Sequence, residues 1–457
     1  MSRRGNSSSI VTVLLFVVAI AGVVFLYNSE TFERVKPTIA LQSPAYWNLS
    51  KPLSIRISDA SGISHYKVIL NANGEEQLLS SGIFEEKDRK KELDLEISYP
   101  KIGGVLKTSE VTLRIEAIDG SRWDFFAGNK AIESHKLSVD QRQPNVSIVA
   151  HNYHIQTGGS GIVIFHAKDE NLDELYIETS FGKKFIPQPF YKPDYYISLL
   201  AWPVDEKSFS AKVVAIDKAG NVKQSSINIY AKKRTYKISN IALKERFLKE
   251  TIADLAAGFE LTQGVDDSLE QFKIINEEVR AQNEKLIHEI TSQVPTTTVH
   301  HFNPEAFYPL KNAKSVASYG EKRFYSYEGK RVSTAYHLGI DLASVQNGEI
   351  SIQNAGNTLF ASYNGIYGNM PILHHGMGLY TLYGHCSEIR TAVDTQHKAG
   401  DVIATTGMSG YAFGDHLHFG VLVQGIEVRP AEWMDKKWIK DNITGIIAQA
   451  KQIIDNL

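Results

Sequence analysis

The sequence predicts a mainly β chain built in series: an N-terminal transmembrane helix, two sandwich domains, a helical segment and a C-terminal antiparallel-β domain. Three observations predict this order. An uncharged apolar run, IVTVLLFVVAIAGVVFLY, fills residues 10–27. Short alternating segments punctuated by Gly, Asn and Asp run from about residue 37 to 233 and return after about 307. Between them, apolar residues recur at helical spacing. The 457 residues suit several domains at roughly 100–200 residues each.

At about 1.5 Å per residue, the run at 10–27 makes a helix about 27 Å long, close to the roughly 30 Å of a hydrocarbon core. Arg3 and Arg4 precede it, and the first downstream charge is Glu30. The arginines favour a cytoplasmic N-terminus over residues 1–9, so the bulk of the chain is expected on the periplasmic or extracytoplasmic side of the inner (cytoplasmic) membrane. A cleaved signal peptide is the rival. Its apolar core runs about 7–15 residues and ends at an A-x-A-like site. This run is longer, and its end, VVFLYNSE, lacks small residues at that spacing.

LSIRIS (53–58), VTLRIEAI (111–118), IVIFHA (162–167) and AKVVAI (211–216) alternate as half-buried strands do. A weak internal repeat joins them. ISDASGISHYKVIL (57–70) aligns with AKDENLDELYIETS (167–180), and EAIDG (116–120) with VAIDKAGN (214–221). The shifts match the roughly 100 residues of one immunoglobulin-like sandwich. Two such domains are expected, at 37–140 and 141–234, with a loose resemblance to bacterial immunoglobulin-like modules.

A helical spacer or regulatory segment is expected over 239–293. One helix covers 243–257 and ends at Gly258. A second carries Phe272, Ile275, Val279, Leu286 and Ile290 on one stripe, with Asp266, Asp267 and Ser268 placed to cap its start. VPTTTVHHFNP (294–304) reads as a linker to a domain at 305–440, which a C-terminal helix (441–457) follows.

The net charge of −2 gives no basic field for nucleic acid. Cys386 is the one cysteine, so no disulfide forms within the chain, and a metal site must draw on His, Asp or Glu, with room for at most one thiolate.

The C-terminal domain arranges its histidines in four segments: YHLGID (336–341), HHGMG (374–378), YGHCS (383–387) and DHLHFG (415–420). On an extended strand, residues i and i+4 share a face, as do i and i+2. His337 and Asp341 are then able to hold one cation, and His416 and His418 point the same way. Three protein ligands with one open position is the plan of a catalytic zinc site. His337, Asp341 and one histidine of the H-x-H pair make that set. The other, together with His385, is left for proton transfer or charge stabilisation. His374 and His375 fit a turn between strands, Cys386 a small buried hydrophobe. Arg323 is a surface arginine or a cleft residue.

HLGIDLAS (337–344), YNGIYGNMPILHHGMGLYTLYGHCS (363–387), GDVIATTGMSGYAFGDHLHFGV (400–421) and VRPAEW (428–433) together resemble the lysostaphin-type, or LytM-type, zinc endopeptidases of bacterial cell walls. The resemblance covers about residues 307–435. It implies one Zn2+ per chain, held by His337, Asp341 and His418, with His385 and His416 serving catalysis. It implies hydrolysis of peptidoglycan peptide cross-links by metal-activated water, with peptide stems as partner. The bond cut is either D-Ala to a diamino acid, which makes the chain a D,D-endopeptidase, or a glycine bridge, and the upstream immunoglobulin-like or helical segments are candidates to recruit protein regulators. The resemblance also implies an alternative, since some relatives lack metal ligands and activate other hydrolases. Two departures stand out. Cys386 takes a place where the family often has Leu, and LASVQNGEISIQNAGNTL (342–359) follows the family pattern less closely.

Overall fold

The computed structural model describes residues 7–42, 45–100 and 108–457. Arg3 and Arg4, on which the expected orientation rests, lie outside the described residues. The apolar run lies in a helix, Ser7–Asn28, whose side chains are described and exposed at 10–25 and 27. Among the described residues, no helix is long and apolar enough to cross a membrane.

The chain divides into two compact units. The first comprises residues 1–144 with 169–173 and 216–222; the second holds 145–168, 174–215 and 223–457. In the first unit one hydrogen-bonded sheet is ordered Thr38–Leu41, Leu53–Ala72, Glu110–Asp119, Lys130–Val139, Tyr46–Trp47. Glu75–Ile83 and Lys90–Ile97 also pair with the long strand Leu53–Ala72. Alternation drives this sheet: on Glu110–Asp119 every second residue is buried, and Leu113, Ile115 and Ala117 join Trp47, Ile55, Ile57 and Val68 in one core.

The internal repeat reappears in the hydrogen bonds of its acidic turns. Asp59 Oδ1 accepts from the Ser61 N–H at 2.7 Å, as Asp169 Oδ1 does from the Asn171 N–H at 2.7 Å. Asp119 accepts from the backbone and side-chain amides of Asn129 at 2.9 and 2.8 Å, and Asp217 from those of Asn221 at 2.8 and 2.8 Å.

The second unit combines residues 145–168, 174–215 and 223–232 with everything that follows. Asn145–His151, Ser160–Lys168, Tyr195–Ala201 and Gln188–Pro189 form one four-stranded sheet; Lys184–Phe185, Leu172–Thr179, Ala211–Asp217 and Val222–Ile227 form another. The eight-stranded C-terminal sheet is antiparallel throughout. Its order is Lys314–Ala317, Ile340–Ala343, Leu417–Val423, Leu379–Gly384, Asn369–His374, Gly356–Tyr363 and Gln396–His397, with Ile426–Val428 beside Leu417–Val423. All seven residues of Leu417–Val423 and all six of Leu379–Gly384 are buried, as befits central strands covered on both faces.

The segment expected to be helical from 239 opens instead with a strand. Ile238–Ala242 pairs in parallel with Lys322–Tyr327. Helical turns then cover 245–256 and 268–291. Asp267 caps the second stretch, accepting from the N–H groups of Leu269 and Glu270 at 2.8 and 2.9 Å. The stripe is buried at Phe272, Ile275 and Val279, but Ile287 (0% exposed) replaces Leu286 (36%). The cause is a π-turn at Ile275–Val279, whose wider i→i+5 pitch advances the face by one residue. This face packs against Met370, Ile372, Tyr380, Leu382 and Leu422, so the helices close over the C-terminal sheet.

The β strands of 145–232 are bound as tightly. Glu432 Oε2 accepts from the Ser160 N–H at 3.0 Å, Trp433 Nε1 donates to Ser160 Oγ at 2.9 Å, and Gln424 exchanges two hydrogen bonds with the Ile186 backbone at 2.8 and 3.0 Å. A final helical run over 436–456 places Asp455 against Tyr191 and Lys192.

Candidate metal centre

His337 and Asp341 do not share one extended strand as expected. Lys330–Tyr336 ends just before His337, and Ile340–Ala343 begins just before Asp341. The chain bends between them at Gly339, where a Cβ would meet His418 at 2.6 Å and the Phe419 oxygen at 2.8 Å. Only a residue without a side chain lets the backbone pass so close to the imidazole. The bend carries His337 back over the sheet. There Asp341 and His418 are direct partners across the Ile340–Ala343 and Leu417–Val423 pair.

The three predicted donors meet at one point. His337 Nε2 lies 3.0 Å from Asp341 Oδ1 and 3.1 Å from His418 Nδ1; His418 Nδ1 lies 2.9 Å from the same carboxylate oxygen. All three residues are buried, at 7, 9 and 6% exposure. Burial disfavours the Asp341 charge, but the His337 and His418 rings beside it outweigh burial and hold the carboxyl far below its usual range. Burial lowers the His418 pKa, with the Asp341 carboxylate opposing it.

His337 Nδ1 donates to the Ser318 carbonyl oxygen at 2.9 Å. A carbonyl only accepts, so in the neutral ring Nε2 is a lone pair aimed at the group. Two buried imidazoles and a charged carboxylate that converge on one point within 3.1 Å fit the chemistry of a zinc ion, and the outer hydrogen bond orients its ligand in the way such sites require.

His385 and His416 stand beside this group, their ring centres 4.8 Å apart. His416 Nε2 is 3.8 Å from Asp341 Oδ1, and the His385 ring centre is 5.8 Å from that of His418. Each donates Nδ1–H to a backbone oxygen, His385 to Ser409 at 2.8 Å and His416 to Gly414 at 2.7 Å. In the neutral ring of each, Nε2 is then the lone pair that can accept a proton. Burial, helped by His418 and His416, pulls the His385 pKa down to about 3. Its backbone sits at φ 65°, a conformation rare for a residue with a side chain and typical of strained functional sites. The Tyr367 carbonyl and Ser409 hold it there: its N–H donates to the former at 2.8 Å.

The other singled-out residues fall elsewhere. His375 bonds Ala355 and Thr381, and His374 packs its ring 4.6 Å from that of Tyr380. Cys386 is fully buried, donates to the Tyr383 oxygen at 3.2 Å and has its thiol pushed up to about 12 by burial, so it stays a neutral thiol. Arg323 lines the cleft and pairs with Glu321 at 3.1 Å. Spacing gave no sign of Ser318, Tyr367 or Ser409, because they act through backbone oxygens or through ring packing, as with Tyr367 against His418 at 5.5 Å.

Residues 335–430 match the family model of Peptidase family M23, so this stretch is an M23 domain. The DD-carboxypeptidase/endopeptidase Mpg of Neisseria meningitidis is 34% identical over 94 residues, which are 21% of this chain and 22% of that protein. The murein hydrolase activator EnvC of Escherichia coli is 26% identical over 132 residues, 29% of each chain. The catalytic domain of lysostaphin from Staphylococcus simulans superposes with a TM-score of 0.24 at 24% identity, covering 27% of this chain and 92% of that one. The chain thus spans about a fifth of the length (22%) of the Mpg proteins it matches.

Proposed function

We propose that the chain is a zinc metalloendopeptidase that hydrolyses peptide cross-links of bacterial peptidoglycan, acting as a D,D-endopeptidase. The observation that carries this is the convergence of His337, Asp341 and His418 within 3.1 Å, with two further imidazoles presenting lone pairs beside them. A zinc ion there supplies Lewis-acid polarisation of a scissile carbonyl and lowers the pKa of water towards about 7. The protein's own part is positional and protonic. His337 and Asp341 hold their places through Ser318 and strand register. His385 and His416 offer Nε2 as proton acceptor and, once protonated, as donor to the developing oxyanion or the leaving amine.

The likeness to EnvC supports a second reading, a wall-binding activator of another hydrolase. Zinc analysis of purified protein, with mass analysis of products from purified muropeptides, separates the two. One zinc per chain and a cut between stem peptides support the enzyme. Zinc-free protein that leaves every cross-link intact overturns it in favour of the activator.

The β modules upstream serve in this reading as immunoglobulin-like spacers. The helix that holds residues 10–27 attaches the chain to the inner membrane with its bulk outside the cytoplasm. The exposure of its apolar side chains, from Ile10 (65%) to Phe25 (74%), supports attachment to lipid. Fractionation of the full chain against residues 30–457 tests it: equal recovery of both in the soluble fraction removes the anchor.

A further inference from the structure

The cleft above the donor group has a volume of about 910 Å3, and part of its wall comes from residues far upstream of the M23 match. Four cations line it: Lys237, Lys244, Arg280 and Arg323. Lys237 and Arg323 share one carboxylate, Glu321, at 2.9 and 3.1 Å. Burial disfavours the charge of Glu321, yet hydrogen bonds from Ser239 and Lys237, with Arg323 beside it, bring its pKa down to about 2. The single charge of Glu321 is therefore shared between the two cations, and each is compensated in part. Lys244 is exposed at the rim.

Arg280 is held differently. Its side chain is 18% exposed, its Nε donates to the Asn276 carbonyl at 3.1 Å, and its Nη2 donates to Asn276 Oδ1 at 3.0 Å. Asn276 is itself 1% exposed and donates from Nδ2 to Ser333 Oγ at 2.8 Å. That bond fixes which end of the amide faces the guanidinium. Neutral groups thus orient the cation without cancelling its charge. Among the described residues, the one carboxylate within 4 Å of it belongs to Glu284, 3.9 Å from Nη1 and beyond hydrogen-bond reach. Burial pushes Glu284 up to about 7, so near neutral pH that carboxyl carries only part of a charge. The guanidinium also lies near enough to Tyr367 and Tyr411, both in the cleft wall, to oppose the burial-driven rise of their phenols.

A fixed guanidinium with free N–H groups and a largely uncompensated charge, on the wall of a cleft, is built for a carboxylate. We propose that Arg280 recognises a free carboxylate on the substrate peptide through its guanidinium and so positions the stem over His337, Asp341 and His418. The proposal rests on the peptidase reading. It assigns part of substrate choice to a helix outside the M23 domain.

The test uses the full zinc-loaded chain and two synthetic stem peptides, identical except that one carries free carboxylates and the other carboxamides. Binding and cleavage are both measured for the parent, Arg280→Gln and Arg280→Lys, with melting temperature and zinc content as controls. The parent is expected to bind the free acid more tightly than the amide. Arg280→Gln is expected to shrink that preference about 10- to 100-fold, mainly in Kd and KM rather than kcat, the loss typical of one charge-assisted hydrogen bond. Arg280→Lys is expected to restore part of it. A parent without preference overturns the proposal. So does a preference left unchanged in a folded Arg280→Gln or, should that variant fail to fold, in a folded Arg280→Lys. If the parent binds with the expected preference but cuts neither peptide, the carboxylate site stands and the peptidase reading fails.

Discussion

Asp341 and His418 face each other across a single antiparallel strand pair, and Asp341 Oδ1 lies 2.9 Å from His418 Nδ1. Strand register, the most rigid coordinate a sheet has, therefore sets the distance between two donors. Only His337 depends on a bend, and the Ser318 oxygen holds its ring.

Removing a donor is expected to remove the metal. His337→Ala and His418→Ala should each reduce zinc from one per chain to less than about a tenth after dialysis, since even loss of an outer partner typically costs 10- to 100-fold in affinity. Cleavage should fall below detection. Retention of full zinc and full activity by either variant would show the assignment to be wrong.

His385→Ala and His416→Ala should behave otherwise. The donor group is intact in both, so zinc content should match the parent. The value of kcat should fall by about 10²- to 10⁴-fold, the usual worth of a positioned proton-transfer group. Metal analysis beside steady-state rates checks this, and loss of zinc in step with activity would make these histidines ligands instead.

Glu432 predicts a pH dependence of stability away from the metal. Burial pushes its pKa up to about 7, against the hydrogen bonds from Ser160. Between its unfolded value of 4.5 and about 7 the folded state holds the extra proton, so this group's contribution to stability is full at low pH and is lost as pH rises through 7. Glu432→Gln should therefore flatten the decline in melting temperature between pH 5 and pH 8. An unchanged slope in the variant would contradict the burial of a protonated carboxyl.

A shortened chain covering 300–457 keeps every donor but loses the helices of 245–291. Met370, Ile372, Tyr380, Leu382 and Leu422 would lose part of their cover. At roughly 25 cal/mol per Å2, that exposes enough apolar area to unsettle a domain of this size. Residues 300–457 should aggregate or bind a hydrophobic dye, whereas 145–457 should elute as a folded species. Size-exclusion chromatography and near-ultraviolet circular dichroism distinguish them. A well-folded 300–457 would show the helices to be dispensable.

The H-x-H pair was legible because a strand's period of two is local and strict. The H-x-x-x-D motif supplied two residues that the fold does bring together, but for the wrong local reason. Its geometry comes from the bend at Gly339, whose need for glycine depends on His418, about 80 residues away in sequence. Helices at 245–256 and 268–291 were visible in periodicity and capping, but Leu286 was misplaced because no composition signal marks a π-turn. The union of residues 145–232 with the C-terminal sheet was hidden for a similar reason. Contacts such as Ser160 with Glu432 bring together groups 272 positions apart and leave no local trace.

Asn283, on the helix that also bears Arg280, accepts a hydrogen bond from the Ile366 N–H at 2.8 Å, and its amide lies where a Cβ on Gly365 would sit, 2.2 Å away. Gly365 itself adopts φ 52°. Helix and cleft loop therefore constrain each other's evolution: a side chain at 365 needs a smaller one at 283. A chimera that grafts the M23 stretch alone onto a foreign scaffold would inherit the clustered histidines with this loop unsupported. The transplantable module is the domain together with its helix.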